Sequence, residues 1–93
     1  MKLITLEEAK LYISYDSDVM DNEIERQVNA IEGYLFNGTG VDWSEVDDEA
    51  SKAVAKDYVL VRLRCDYYNE YNEMNIWRLQ SMINQLKVAA HMV

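Results

Sequence analysis

Ninety-three residues make a single domain, since a second core would need roughly 50 more, and a chain this short buries only about 60–65% of its unfolded surface. Hydrophobic residues at 49% and charged residues at 28% are the makeup of a globular domain rather than a disordered one. The absence of Pro and the three Gly leave few helix breakers, and the formal charge of −8 argues against a free-standing nucleic-acid binder, which needs cations to neutralise phosphates.

In chain order, Thr5-Leu6-Glu7-Glu8 has the spacing of a capping box and predicts a short helix over 6–14, with Leu6, Ala9, Leu11 and Ile13 partly buried. The opening residues carry no apolar run of signal-peptide length, because Glu7 and Glu8 interrupt it. Asp16-Ser17-Asp18 is a polar break suited to capping a second helix, over 19–36. There Met20, Ile24, Val28, Ile31 and Leu35 form one apolar stripe with Asp21, Glu25, Asn29 and Glu32 opposite. Asn37-Gly38-Thr39-Gly40 is a glycine stop and turn; its match to a glycosylation acceptor is read as a turn alone.

Residues 41–47 form a linker carrying Trp43, large and apolar for a loop, with Ser44 or Asp47 as cap of the next helix. That third and longest helix, over 48–70, has two stripes: Ala50, Val54, Tyr58, Val61, Cys65 and Tyr68, then Ala53, Leu60, Leu63 and Tyr67. Two stripes predict a central helix packed on both sides, or one with one side in the core and the other on a partner. Asn69, Asn72 and Asn75 mark a break, and a fourth helix over 76–88 carries Ile76, Leu79, Met82, Ile83 and Leu86. Residues 88–93 lack a polar face and read as a frayed tail or docking arm. The expected fold is all-α, a compact bundle of about four helices with a long central third helix.

Charge is divided along the chain: residues 1–50 hold 13 acidic and 3 basic side chains, residues 51–93 hold 4 and 6. No catalytic chemistry emerges from the motifs. Asp16, Asp18 and Asp21 resemble the start of a calcium loop, yet Asp21 stands where that loop needs Gly and Gln27 where it needs Glu. The run 45–49 reads as helix-start acids. Cys65 is the one cysteine and His91 the one histidine, so no disulfide, Ser-His-Asp set or glycine-rich phosphate loop is available. The expectation is a non-enzyme without cofactor or metal, in a reducing compartment and without a membrane span. The segment that does stand out is aromatic: Tyr67, Tyr68, Tyr71 and Trp77 with Arg62, Arg64 and Arg78 close in sequence, a composition suited to core closure, to a protein interface or to base stacking. The global charge disfavours the last.

The arrangement resembles the small head–tail connector proteins (head-completion or DNA-packaging adaptors) of tailed phages and prophages. The residues that carry the resemblance are Leu3-Ile4-Thr5-Leu6-Glu7-Glu8-Ala9-Lys10-Leu11-Tyr12-Ile13, the acidic turn at 16–18, the helix from Asp21 to Leu35 with Ile24, Ala30 and Tyr34, and the Asn37-Gly38-Thr39-Gly40 turn. A long helix with Val59, Leu60 and Val61 and a last helix ending near Leu86 complete it; where such proteins often have a Pro-bearing loop, this chain has Tyr71-Asn72-Glu73-Met74-Asn75. The resemblance implies a structural virion protein that assembles as a ring with copies of itself under the portal protein, extends the DNA channel and offers a platform to the next neck or tail-completion protein. Its place would be the bacterial host cytoplasm during assembly and then the virion neck. On that reading Arg62, Arg64, Tyr67, Tyr68, Tyr71, Trp77 and Arg78 belong to protein contacts. Glu25, Glu32, Asp42 and Glu45 would face the channel, where their charge lets DNA pass without sticking. The rival reading is an acidic helical regulator or DNA mimic that binds a basic cytoplasmic partner.

Overall fold

A computed structural model describes residues 2–92 as four helices: α1 Leu6–Tyr12, α2 Asp21–Thr39, α3 Glu49–Tyr68 and α4 Glu73–Ala89. The fold is all-α, and no helix among the described residues is long and apolar enough to cross a membrane. The third helix packs against the other three and is the longest, though by one residue: 20 against 19 in α2.

The helix boundaries follow from local chemistry. The capping box is complete: the Glu8 backbone N–H donates to Thr5 Oγ1 at 3.1 Å, and the Thr5 N–H donates to Glu8 Oε1 at 3.0 Å. The second helix begins differently from expectation. Its N-cap position is Met20, with no side-chain cap, and Ser17 accepts only from the Val19 N–H; Asp21 and Glu23 in the first turn suit the helix dipole instead. The helix runs on through Gly38, and the residue that stops it is Gly40, left-handed at φ +73°. Asp48, rather than Ser44 or Asp47, caps α3: it accepts from the Ala50 N–H and, at 2.8 Å, from the Ser51 hydroxyl. Asn69 ends α3 in the left-handed region at φ +54°, and Asn72 caps α4 by accepting from the Asn75 N–H at 2.8 Å. The asparagine break is thus real, and α4 starts three residues earlier than its apolar pattern begins.

The core joins Ile24, Val28, Ile31 and Leu35 of α2 to Ala55, Tyr58, Val59, Val61, Leu63 and Cys65 of α3 and to Leu79, Met82, Ile83 and Leu86 of α4. Ala9 and Ile13 pin α1 to it. Trp43 lies in the 40–48 connection yet is fully buried, its indole N–H donating to Thr39 Oγ1 at 3.0 Å. The linker is therefore a piece of core.

Several expected core positions face outward. Leu11 is 83% exposed, because a seven-residue helix offers one narrow contact line and Ala9 and Ile13 occupy it. Met20, Ala50, Ala53 and Ile76 also lie at the surface. Residues 88 and 89 continue α4, and 90–92 form a closing turn with Ala89 and Ala90 half-buried, so these residues are not a free tail; Val93 lies outside the described residues.

Glu32 corrects the sequence reading most sharply. Expected on a solvent or channel face, it is buried, 1% exposed. At about 100° per residue, Asp21, Glu25 and Glu32 share one flank of α2, directly beside the apolar stripe. The N-terminal segment docks along that flank: Lys10 pairs with Asp21 at 2.7 Å, Lys2 with Glu25 at 3.2 Å, and Glu32 Oε2 accepts the backbone N–H groups of Leu3 and Ile4 at 3.0 and 2.9 Å.

Candidate functional site

The aromatic and arginine residues of 62–78 do not form one cluster. Positions 62 and 64 sit about 200° apart on a helix, and the structure divides the group accordingly.

On one side, Arg64 donates to the Tyr12 carbonyl at 3.3 Å, pairs with Glu70 at 3.5 Å and lies over the Tyr68 ring at 4.9 Å. The Tyr68 hydroxyl donates to the Ile13 carbonyl. Tyr67 stands edge-on to both Tyr68 and Tyr15, with centroids 4.9 and 6.2 Å apart. These three residues clamp the C-terminal end of α1 onto α3, so their first role is internal.

On the other side, Arg62 stacks over the Tyr34 ring at 4.4 Å and donates to the Tyr58 hydroxyl at 3.2 Å. The Tyr71 hydroxyl donates to Asp66. Burial, reinforced by the Asp66 carboxylate, pushes the Tyr71 phenol up to about 12, so it is neutral and a donor at any physiological pH. Tyr34, Tyr58, Arg62 and Tyr71, together with Ile76 and Leu79, line an open cleft of about 390 Å³ between α2, α3 and the start of α4.

The third part is the outer face of α4. Met74 is 76% exposed, Trp77 71% and Val88 66%. Along the same helix line lie Ser81, Asn84 and Gln85, so the strip from 74 to 88 carries no charge, although Arg78 and Lys87 flank it at the surface. A contiguous uncharged strip with Trp and Met in it has the composition of a protein-contact surface.

Of the four expected channel acids, Asp42 and Glu45 are neighbours in the 40–48 connection, where the Glu45 N–H donates to the Asp42 carbonyl at 3.0 Å, while Glu25 and Glu32 lie on α2. Glu25 is engaged by Lys2, and Glu32 is inside the protein. Asp42 is half-buried and accepts from both the N–H and the hydroxyl of Ser44, which, against the opposing effect of burial, holds its carboxyl below the usual range. Only Glu45 is both exposed and without an ion pair among the described residues.

Elsewhere, no three His, Cys, Asp or Glu side chains among the described residues gather closely enough to hold a metal ion. Cys65 is buried, and burial with the nearby Glu70 and Asp66 charges pushes its thiol up, away from the reactive thiolate. Sequence reasoning missed Tyr34 and Tyr58 as partners of Arg62, and missed that Met74 joins Trp77. The first needs tertiary knowledge. The second was available from the three-residue spacing alone. Comparison with protein-family models, curated proteins and solved structures finds no match to this chain.

Proposed function

We propose that this chain is a structural connector that assembles with copies of itself into a ring under a phage portal, extends the DNA channel and joins capsid to tail without catalysis. The observation that carries the reading is the outer face of α4, an uncharged strip holding Met74, Trp77 and Val88 at 66–76% exposure. A small acidic domain gains nothing from leaving these side chains in water unless another surface covers them. The division of charge, strongly acidic before residue 50 and mildly basic after it, favours a head-to-tail contact, and such contacts form a ring when the rotation between copies closes and a filament when it does not. Supporting it further is the resemblance of the first forty residues to connector proteins. Of the acids assigned to the bore, Glu45 is the one left exposed and outside any ion pair among the described residues; Asp42 and Glu25 can contribute only while tied to Ser44 and Lys2, and Glu32 drops out.

The acidic regulator is the weaker reading. A DNA mimic needs its carboxylates free, whereas Glu8, Asp18, Asp21, Glu25 and Glu32 are all occupied within the fold. Negative-stain electron microscopy of the protein at high concentration, alone and with its candidate portal, tests the proposal. Closed rings, or an added layer on the portal, are expected, and Trp77→Glu should abolish them while leaving the helical circular dichroism intact. Monodisperse protein that ignores the portal would overturn the connector reading. A ring with residues 7–49 on its outer wall would overturn the bore assignment alone.

A further inference from the structure

Arg62 is a half-buried cation of this acidic molecule that enters no ion pair among the described residues, as is Lys52. The ion pairs among the described residues engage Lys2, Lys10, Arg26, Lys56 and Arg64. The cations outside those pairs, other than Arg62, are Lys52, Arg78 and Lys87, and of these Arg78 and Lys87 are plainly exposed to water. Arg62 instead lies over the Tyr34 ring, 4.4 Å from its centroid, with one terminal nitrogen 3.2 Å from the Tyr58 hydroxyl. Two tyrosines thus hold the guanidinium, the Tyr71 hydroxyl is a third polar neighbour, and Arg62 lines a cleft of about 390 Å³, within the range of small-ligand sites. A guanidinium held in this way is preorganised for the two-point hydrogen bonding that carboxylates accept.

We propose that the Arg62 cleft is a carboxylate-binding site, taking a singly charged planar carboxylate on an apolar or aromatic body. Three features choose this class over phosphate. A single cation lines the cleft, Asp66 stands behind it on the Tyr71 hydroxyl, and the molecule as a whole carries −8; a dianion meets more repulsion than attraction there. The ring of Tyr34 and the side chains of Ile76 and Leu79 supply a wall for the body of the ligand. The site stands whether or not the chain forms rings, because every part of it belongs to one copy.

The test is an NMR titration of the dilute full-length protein, following the Arg62 Nε–H signal. Three probes are added separately: benzoate, inorganic phosphate, and an N-acetylated peptide of alanines ending in phenylalanine, whose C-terminal carboxylate is its one charge, as a polypeptide source of carboxylate. Saturable movement of the Arg62 signal with benzoate or the peptide, and a weaker response to phosphate, is expected. Whichever of the two binds more tightly identifies a small-molecule or a polypeptide source. Arg62→Lys keeps the charge and loses the fork, and should weaken binding about tenfold. Tyr34→Leu, at a position 55% exposed and so safe for folding, should weaken it as well. No saturable movement at Arg62, a preference for phosphate, or equal binding by Arg62→Lys would each overturn the proposal.

Discussion

A buried carboxylate that accepts backbone N–H groups behaves as an anchor rather than a charge. Glu32 Oε2 receives both the Leu3 and Ile4 N–H groups, which have no helix or strand of their own to bond within. Removing the acceptor strands two donors, so Glu32→Ala is expected to cost about 3 kcal/mol. Glu32→Gln keeps an oxygen in place but loses the ionic strengthening, and about 1 kcal/mol is expected. Urea denaturation of the two variants against the parent measures both; equal losses would mean that volume, not hydrogen bonding, is what Glu32 supplies. Nothing in the pattern of α2 marks this glutamate as different from Glu25. Both lie on the same flank, and only the path of residues 2–4 over that flank buries one of them.

At the scale of elements, the weakest piece is α1. Seven residues are too few to hold a helix in water, so α1 exists through its cap and its attachments: the Thr5–Glu8 box, the Glu8–Lys56 pair at 3.3 Å and the Tyr68 and Arg64 bonds to its last carbonyls. The Thr5 backbone bond, with help from Lys56 and against a small effect of burial, holds the Glu8 carboxyl below its ordinary value of 4.5. A carboxyl lowered in the folded state stabilises it fully above that ordinary value and loses the contribution as pH falls through the lowered one. The urea midpoint of the wild type should therefore fall more steeply with acidification below 4.5 than that of Glu8→Gln; parallel curves would show that the Glu8 charge contributes nothing to global stability, since Gln can complete the same box.

The same scale shows what periodicity can and cannot reveal. The α2 stripe from Ile24 to Leu35 was legible because the buried positions of that helix stay within about 100° of its circumference. The α3 pattern was not, since its buried positions spread over about 200°: Ala55 and Val59 are fully buried although they lie in neither of its two apolar stripes, while Ala50 and Ala53 are exposed. Trp43 escaped for a different reason. Loops carry no periodic signal, and only the size of the side chain hinted that the connection enters the core. In the candidate site, Trp77 and Arg78 could be picked from composition, whereas the partition of Arg62 from Arg64 follows from helix geometry and the partnership with Tyr34 from tertiary packing.

For the whole molecule, the two tryptophans occupy opposite extremes. Trp43 is fully buried and Trp77 is 71% exposed on the outer strip of α4. The protein thus carries two optical gauges that read different events. Trp77→Phe should leave a blue-shifted emission that acrylamide barely quenches and that reddens only on unfolding. The native protein should show a second, readily quenched component, and its loss on concentration or on meeting a partner would report that the α4 strip has been covered. Quenching of equal strength in the native protein and in Trp77→Phe would contradict this. Trp43 would stay silent through any such docking, so a single spectrum separates assembly from unfolding without a label.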